Sequence, residues 1–509
     1  MHRLGRLTRY AAYTGGLSFA GFQVLADQSK QDVLGTIYAS RNLFTAASTF
    51  FAVGVDYAWG LRGLKGDTDE YYEARKQIHS RCAKRILKLS TTNKGVYLKF
   101  GQYIGNLERI APKEYTDVLK VLQDSGPQVP FDQINTVIKT DFGKDVKELF
   151  DSFDEKAIAA ASLAQVHQAV YKGEKVAVKV QFPTLRVQFD QDIKVLGFLI
   201  RVADRALRWY QYKEMNLHKI FSTFSGSLRE ELDFKNEMAN AEKTAEFFKD
   251  MKFVYVPKYF KSISGSRVLT MDFVEGVKIN QKADIEKQGF KSQEVGDLLM
   301  RIFAKMIFQT GHVHCDAHPG NILVRPNPKD LKKPQIVLLD HGFYRSYDEK
   351  FIGQYCKLWK SIIEQDYETM KEVADAFGMG EYYKYLPLVL LWRSKNTKKL
   401  GDMIPEEDRK NMQKKDLINF EIIHYIMTRI PEHMIFIIRA SNLSAIHYNT
   451  LGGTMRNRFM IMTEGCYRNL YGNGIYYSWR IMIMRIKLWL METSYSFYRF
   501  LYPTKVEVY

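Results

Sequence analysis

Five side chains able to bind metal or move protons crowd the stretch GHVHCDAHPGNILV at 311–324: His312, His314, Cys315, Asp316 and His318. Two chemistries compete for them. A zinc or iron site of the metalloprotease kind needs two histidines one helical turn apart with a glutamate between them, H-E-x-x-H, and that pattern is absent. His314, Asp316 and His318 instead alternate along what Pro319 and Gly320 mark as a loop, with no glutamate beside them to act as base. Phosphoryl transfer uses more of the stretch. Enzymes that do it set an aspartate near the attacking hydroxyl and, five positions on, a magnesium-binding asparagine, which is the spacing of Asp316 and Asn321. Their second metal-binding aspartate ends an apolar strand just before a glycine, and VLLDHG supplies Asp340 with Gly342 two positions later. The lysine that grips the α- and β-phosphates sits on a β-strand within V-A-x-K, and VAVK supplies Lys179. A solvated strand lysine would look the same in isolation. The order hairpin, Lys179, Asp316 with Asn321, Asp340 with Gly342 is what favours phosphate chemistry.

One part of the usual apparatus is missing: neither G-x-G-x-x-G nor G-x-x-x-x-G-K-[ST] occurs. The phosphate-covering turn is instead AAASLAQVH at 159–167, with Ala160, Ala161, Ser162, Leu163 and Ala164 as its nucleotide-binding stretch. Alanine lacks the positive-φ freedom of glycine, so this turn is stiffer and shapes a different nucleotide pose.

These residues need elements to hold them. Apolar spacing in RCAKRILKL, EYTDVLKVL and INTVIKTDFG predicts a run of helices over 70–150, broken at STTNKG, Pro112 and SGPQVP. From Ser162, SLAQVHQAVYKGEKVAVKVQFP alternates apolar and polar residues, turns at Lys172, Gly173 and Glu174, and stops at Pro183, which is a β-hairpin. Strands are expected at SRVLTMDFVEG, NILVRP and QIVLLDHG, the last two joined by the polar connector NPKDLKKP. Residues 297–310 have helical spacing at Leu298, Ile302, Phe303 and Met306, with Gly311 as a C-terminal cap. From 351 to 509 the pattern is helical, without a fixed repeat.

The bulk properties bound the rest. At 509 residues, 46% hydrophobic, the chain is long enough for two or three packed units. A formal charge of +17 favours an anionic partner such as nucleotide, acidic lipid or nucleic acid. No nucleic-acid motif and no basic run with interleaved aromatics accompanies it, so nucleic acid is not expected. Cys82, Cys315, Cys356 and Cys466 form no C-x-x-C pair, which points to a reducing compartment. Arg3, Arg6 and Arg9 precede the first acid, Asp27, as in an organelle transit segment; the uncharged run 10–26 is marginal as a membrane anchor, and 42–55 is shorter still. Near the other end, SWRIMIMRIKLWLMETSYSFYRFLYP joins bulky apolar residues to Arg480, Arg485, Lys487 and Arg499. Such a helix either rests on an anionic membrane surface or packs on its own domain.

KFGQ at 99–102, AAASLAQVH, VAVKVQFP, EELDFKNEMANAEK, HCDAHPGN and LLDHG together resemble the UbiB family of atypical kinases, the aarF-domain-containing kinases. The likeness spans roughly residues 75–390, and SLAQVH with VLLDHG is most similar to the mitochondrial type-one branch. The resemblance implies an α+β, bilobal protein-kinase-like fold with an N-terminal helical K-x-G-Q extension and a C-terminal helical extension. The expected organisation is a targeting or membrane-proximal segment at 1–70, the K-x-G-Q helices at 71–150, the kinase-like domain at 151–390 and the extension at 391–509. Lys99, Gly101 and Gln102 would carry the K-x-G-Q element across the substrate mouth, Lys99 and Gln102 sharing one helix face. Glu231 and Asp233 match the E-x-D element. Glu237 matches the glutamate that pairs with Lys179, a choice over Glu230 or Glu231 that spacing alone does not make. Met271, within VLTMDFVEG, falls in the adenine-contacting linker. His314 and His318 would brace the loop, leaving Mg²⁺ to Asn321 and Asp340 and the catalytic roles to Asp316, Lys179 and Glu237. The family's usual proline is Ala317 here, which frees φ and is expected to loosen the loop after Asp316. The implied function is a magnesium-dependent ATP- or ADP-binding kinase or ATPase of the mitochondrion, membrane-associated, acting on a small molecule or lipid. Its rival is a pseudokinase adaptor that senses nucleotide without turnover.

Overall fold

The computed structural model describes residues 31–65, 68–105, 112–122, 128–160, 163–183, 185–209, 217–391 and 432–501. The run 10–26 with its preceding arginines, and Ala161 and Ser162 of the expected phosphate turn, lie outside these residues. The chain divides into two compact units: Met1–Pro127, Ala161–Leu163 and Phe182–Ala206 form the first, and Gln128–Ala160, Ala164–Gln181 and Leu207–Tyr509 the second.

The first unit is helical: α1 (Gln31–Gly60), α2 (Asp69–Asn93), α3 (Gly95–Gly105), α4 (Lys113–Leu119) and most of α6 (Leu185–Trp209), between which α5 (Phe131–Phe142) belongs to the second unit. Thr68 caps α2, its side chain accepting the Tyr71 N–H, with Asp69 and Glu70 in the first turn where the helix dipole favours them. The expected break at STTNKG comes late. Thr91 Oγ1 donates back to the Leu87 carbonyl within the helix (3.0 Å), and the chain turns only at Lys94 and Gly95, both with positive φ. The run 42–55 is the middle of α1 and is tied in by polar contacts: Thr45 Oγ1 donates to Asn93 Oδ1 (2.7 Å) and Asn42 Nδ2 to Asp192 Oδ1 on α6 (3.1 Å). Among the described residues no helix is long and apolar enough to cross a membrane.

The second unit begins with α5 (Phe131–Phe142), stopped by Gly143 in the left-handed conformation. Strands β1 (Ser152–Phe153), β2 (Ala159–Ala160), β3 (Ala164–Tyr171), β4 (Glu174–Gln181) and, after α7 (Leu217–Glu231), α8 (Phe234–Phe248) and β5 (Val254–Tyr255), β6 (Val268–Asp272) follow. Among the described residues β1-β3-β4-β6 form an antiparallel sheet, with β2 also on β3. The hairpin turns where the sequence predicts, on Lys172 (φ 53°) and Gly173 (φ 78°), the paired positive φ values that match strand twist.

Next come β7 (Val277–Lys278), α9 (Ser292–Lys305), β8 (His312–His314), β9 (Ile322–Asn327), β10 (Asp330–Leu338) and β11 (Tyr344–Ser346). A second sheet runs β5-β10-β9-β7, and β8 pairs with β11. Two expectations are corrected. The polar connector NPKDLKKP is mostly strand, because β10 starts at Asp330 and sends charges into solvent from an irregular ladder in which Pro334 faces Pro326. His314, placed in a loop by the sequence, belongs to a strand facing Tyr344. The helix 297–310 starts earlier, at Ser292, and widens over Met306–Thr310 before Gly311, at φ 63° with a Cβ position only 2.7 Å from the Tyr347 carbonyl. Last come α10 (Glu349–Glu364), α11 (Tyr367–Ala376), α12 (Glu432–Thr450), α13 (Met455–Tyr471) and α14 (Ile475–Leu501). The helices after residue 431 share one core with α9 and α10, through Phe436, Ile437, Met462 and Cys466. The four cysteines are buried free thiols.

Candidate active site

Strand alternation delivers the lysine. Val176, Val178 and Val180 of β4 enter the core against Ile134, Val137 and Ile138 of α5, which leaves Ala177 and Lys179 on the opposite face. Lys179 Nζ donates to both carboxylate oxygens of Glu237 (3.0 and 2.9 Å) and to Asp340 Oδ2 (3.0 Å), above the Phe234 ring. Glu237 is set by the start of α8, where Asp233 is the N-cap and its carboxylate accepts the Lys235 N–H (3.0 Å). The choice among glutamates is thereby explained: Glu230 pairs with Arg345, and Glu231 closes α7 before the cap. Gly342 lets the chain pass close under the acids, since a Cβ there would stand 3.1 Å from Asp340 Oδ1 and 3.6 Å from Glu237 Oε2.

The charges of this trio do not cancel. One ammonium faces two carboxyl groups in a largely buried place, a net charge of −1 when both are ionised. Burial disfavours the ammonium, but Asp340 and Glu237 together outweigh it and hold Lys179 above the ordinary amine range. Burial likewise pushes Glu237 up, to about 7, against the pull of Lys179. With both carboxyl groups ionised, electrostatics would favour a cation there, and carboxylate oxygens are hard donors of the kind magnesium takes.

The second cluster follows β8. The Asp316 carbonyl accepts the His318 N–H (2.8 Å) and Asn321 Nδ2 (3.1 Å), while the Asn321 carbonyl accepts the Leu339 N–H (2.9 Å). Asn321 is thus laced beside the residue that precedes Asp340, and its side-chain oxygen is the atom left for a metal. Asp316 Oδ1 accepts a charged hydrogen bond from Arg439 Nη2 on α12 (2.8 Å). One helix turn pair further on, His447 Nε2 donates to the Ala317 carbonyl (2.7 Å). The loosening expected at Ala317 is offset here: Ala317 is fully buried and its carbonyl is held. Neither Arg439 nor His447 carries a sequence signal, because they lie 123 and 130 positions from their partners in an ordinary helical stretch.

The histidines do something else. His318 Nδ1 accepts the Gly320 N–H (3.0 Å), and His312, His314 and His341 stack on Tyr344 at ring-centroid distances of 4.5, 4.8 and 5.4 Å. Burial lowers His314 and brings His312 to about 4 and His341 to about 3, so the stack stays neutral and is no acid–base device. Burial also pushes the Cys315 thiol up to about 12. Among the described residues no group of three or more His, Cys, Asp or Glu is gathered to hold a metal.

The remaining predicted residues are placed as follows. Ala160 lies on β2 opposite Gln165, and Leu163, in the first unit, accepts the Phe182 N–H. Ala164 and Met271 meet in one apolar cluster with Phe234, Ala177 and Leu269, Met271 being inside β6 opposite Ala177. In the AQVH part of the motif, Gln165 pairs with both backbone groups of Val129 and donates to His167, whose other ring nitrogen donates to the Asp154 carbonyl. These side chains tie β3 to the backbone at Val129 and Asp154. Lys99, Gly101 and Gln102 belong to α3 of the first unit. There Gln102 donates to the Leu122 carbonyl (2.7 Å), and Gly101 is pressed so close that a Cβ would stand 2.6 Å from Ser90 Oγ.

The ABC1 atypical kinase-like domain matches residues 121–374. AarF domain-containing protein kinase 1 of Mus musculus is 35% identical over 430 residues, 84% of this chain and 81% of that one. Its counterpart in Gallus gallus is 32% identical over 507 residues, 95% of each chain. A probable serine/threonine-protein kinase of Dictyostelium discoideum is 34% identical over 438 residues, 85% of this chain and 62% of that one. By this shared sequence and a kinase-like arrangement in which a strand lysine meets a helix glutamate and Asp340, the chain belongs to the ABC1/AarF family of atypical kinases.

Proposed function

We propose that the protein is a magnesium-dependent ATP-binding phosphotransferase or ATPase, acting on a small-molecule or lipid-borne substrate at an anionic membrane surface of the mitochondrion. One observation carries the chemistry: Lys179 held at 3.0 Å or less between Glu237 and Asp340, which brings a phosphate-gripping amine to a metal-binding acid from 161 positions away. Asn321 and Asp340 are the residues that would hold Mg²⁺, whose contribution when bound is to neutralise phosphate charge. Lys179 binds the α- and β-phosphates, with Glu237 fixing its direction. Asp316, its carboxylate set by Arg439, orients the attacking hydroxyl or water. The N-terminal arginines and late first acid support a mitochondrial address, and the +17 charge supports an anionic surface.

A second reading has its own observation. Asp316 is ion-paired to Arg439 and Asp340 to Lys179, so both working carboxylates have internal partners, as suits a nucleotide-sensing adaptor without turnover. Magnesium-dependent ATP hydrolysis of the wild type beside Asp340→Ala separates the two. The enzyme reading expects a loss on the order of 10²- to 10⁴-fold; equal rates, with nucleotide-dependent thermal stabilisation intact, transfer the weight to the adaptor.

A further inference from the structure

Over residues 475–490 helix α14 turns much of its most apolar side to solvent. Ile475, Trp479, Met482, Ile486, Trp489 and Leu490 are 45–82% exposed, although each is a large apolar residue. Their spacing of four, three, four, three and one residues places them, at about 100° per residue, within an arc of about 100°. The opposite side is spent already: Ile481 and Met484, buried, enter the core that α14 shares with α9, α10 and α13. The helix is thus amphipathic in the reverse sense for a soluble surface helix, with an apolar sector facing away from the protein that carries it.

The charges around that sector say what covers it. By the same rotation Arg485 borders it on one side, and Lys487 and Arg480 on the other, all exposed or partly so. No aspartate or glutamate occurs from 475 to 491. Arg485 reaches Glu464, and Arg480 the Tyr476 hydroxyl and Glu364, yet the Arg485 side chain keeps 65% of its surface open. An apolar sector with a tryptophan near each end and cations along both borders fits the boundary between acyl chains and anionic headgroups. A second copy of the helix would instead bring these like charges together.

We infer that α14 is a docking face by which the protein lies on an anionic phospholipid bilayer, Trp479, Ile486 and Trp489 entering the acyl boundary and Arg480, Arg485 and Lys487 meeting lipid phosphates. This deepens the membrane placement proposed above and rests on it, without depending on turnover. The full chain is mixed with vesicles of phosphatidylcholine alone or with about a third anionic phospholipid, and sedimented. The wild type is expected to partition at least tenfold better onto the anionic vesicles, with a blue shift in tryptophan emission and loss of binding in high salt. The variant Trp479→Ser/Ile486→Asp/Trp489→Ser should lose that binding while keeping its circular dichroism and nucleotide-dependent thermal shift. Arg485→Gln/Lys487→Gln should lose the anionic preference. Undiminished binding by the triple variant removes α14 but leaves the membrane placement standing, whereas a wild type that ignores both vesicles removes both. A concentration-dependent dimer abolished by the triple variant, without vesicle binding, overturns the inference in favour of self-association.

Discussion

The acid expected to orient an attacking hydroxyl is held by a residue outside every motif. Arg439 keeps Asp316 Oδ1 at 2.8 Å from a nearly buried position beside the Phe343 ring, so it fixes the carboxylate's rotamer and supplies the opposite charge. In the phosphotransfer reading this makes Arg439 a positioning residue. Arg439→Gln should cut turnover on the order of 10²-fold while the affinity for magnesium nucleotide stays within about threefold, and Arg439→Lys should recover part of the rate. Single-turnover rates set beside nucleotide titrations decide it; equal losses in rate and affinity would mean that the site has simply come apart. At this scale Lys179, Asp316, Asn321 and Asp340 were readable because each sits in a short motif. Glu237 needed the family resemblance, since three glutamates compete within eight positions and only the N-cap at Asp233 settles which one faces the lysine.

Among the elements, α1 and α6 meet through a carboxyl group with little to support its charge. Asp192 is buried, Asn42 is its hydrogen-bond donor, and the Tyr97 hydroxyl faces the same place. Burial pushes its carboxyl up to about 7, only partly offset by Asn42. Below about pH 4 the folded and unfolded chains both keep the proton. Between there and about 7 the unfolded chain releases it and the folded chain does not, so stability falls as pH rises, by about 2–4 kcal/mol over the window. Thermal unfolding followed from pH 5 to 8 should show this decline in the first unit, and Asp192→Asn should flatten it and be the more stable form at pH 8. A variant with the slope of the wild type would remove the argument. The hairpin and the helix ending at Gly311 were legible here, because positive-φ turns and alternation are local. The strand character of Asp330 to Lys333 was not, since this end of β10 runs past β5 and has only β9 beside it, which leaves room for exposed charges that otherwise read as loop.

Over the whole molecule, Lys179, Glu237, Asp316, Asn321 and Asp340 all fall in the second compact unit. Magnesium nucleotide at about 100 times its dissociation constant should therefore stabilise that unit by about 2.7 kcal/mol. Hydrogen exchange should show the added protection in β4, the first turn of α8, residues 314–323 and 338–343. Protection confined to other segments would place the nucleotide elsewhere.

The sequence by itself determined the order of the candidate residues for phosphate chemistry, the hairpin that carries Lys179 and the family, because these rest on spacing along a few residues. Tertiary structure alone decided that Arg439 and His447 clamp the loop at Asp316 and Ala317, that the histidines form a neutral stack, and that the apolar side of α14 faces outward. Contacts across more than a hundred positions depend on how helices pack around a shared core, and which side of an amphipathic helix is covered depends on its neighbours; neither leaves a mark in local spacing.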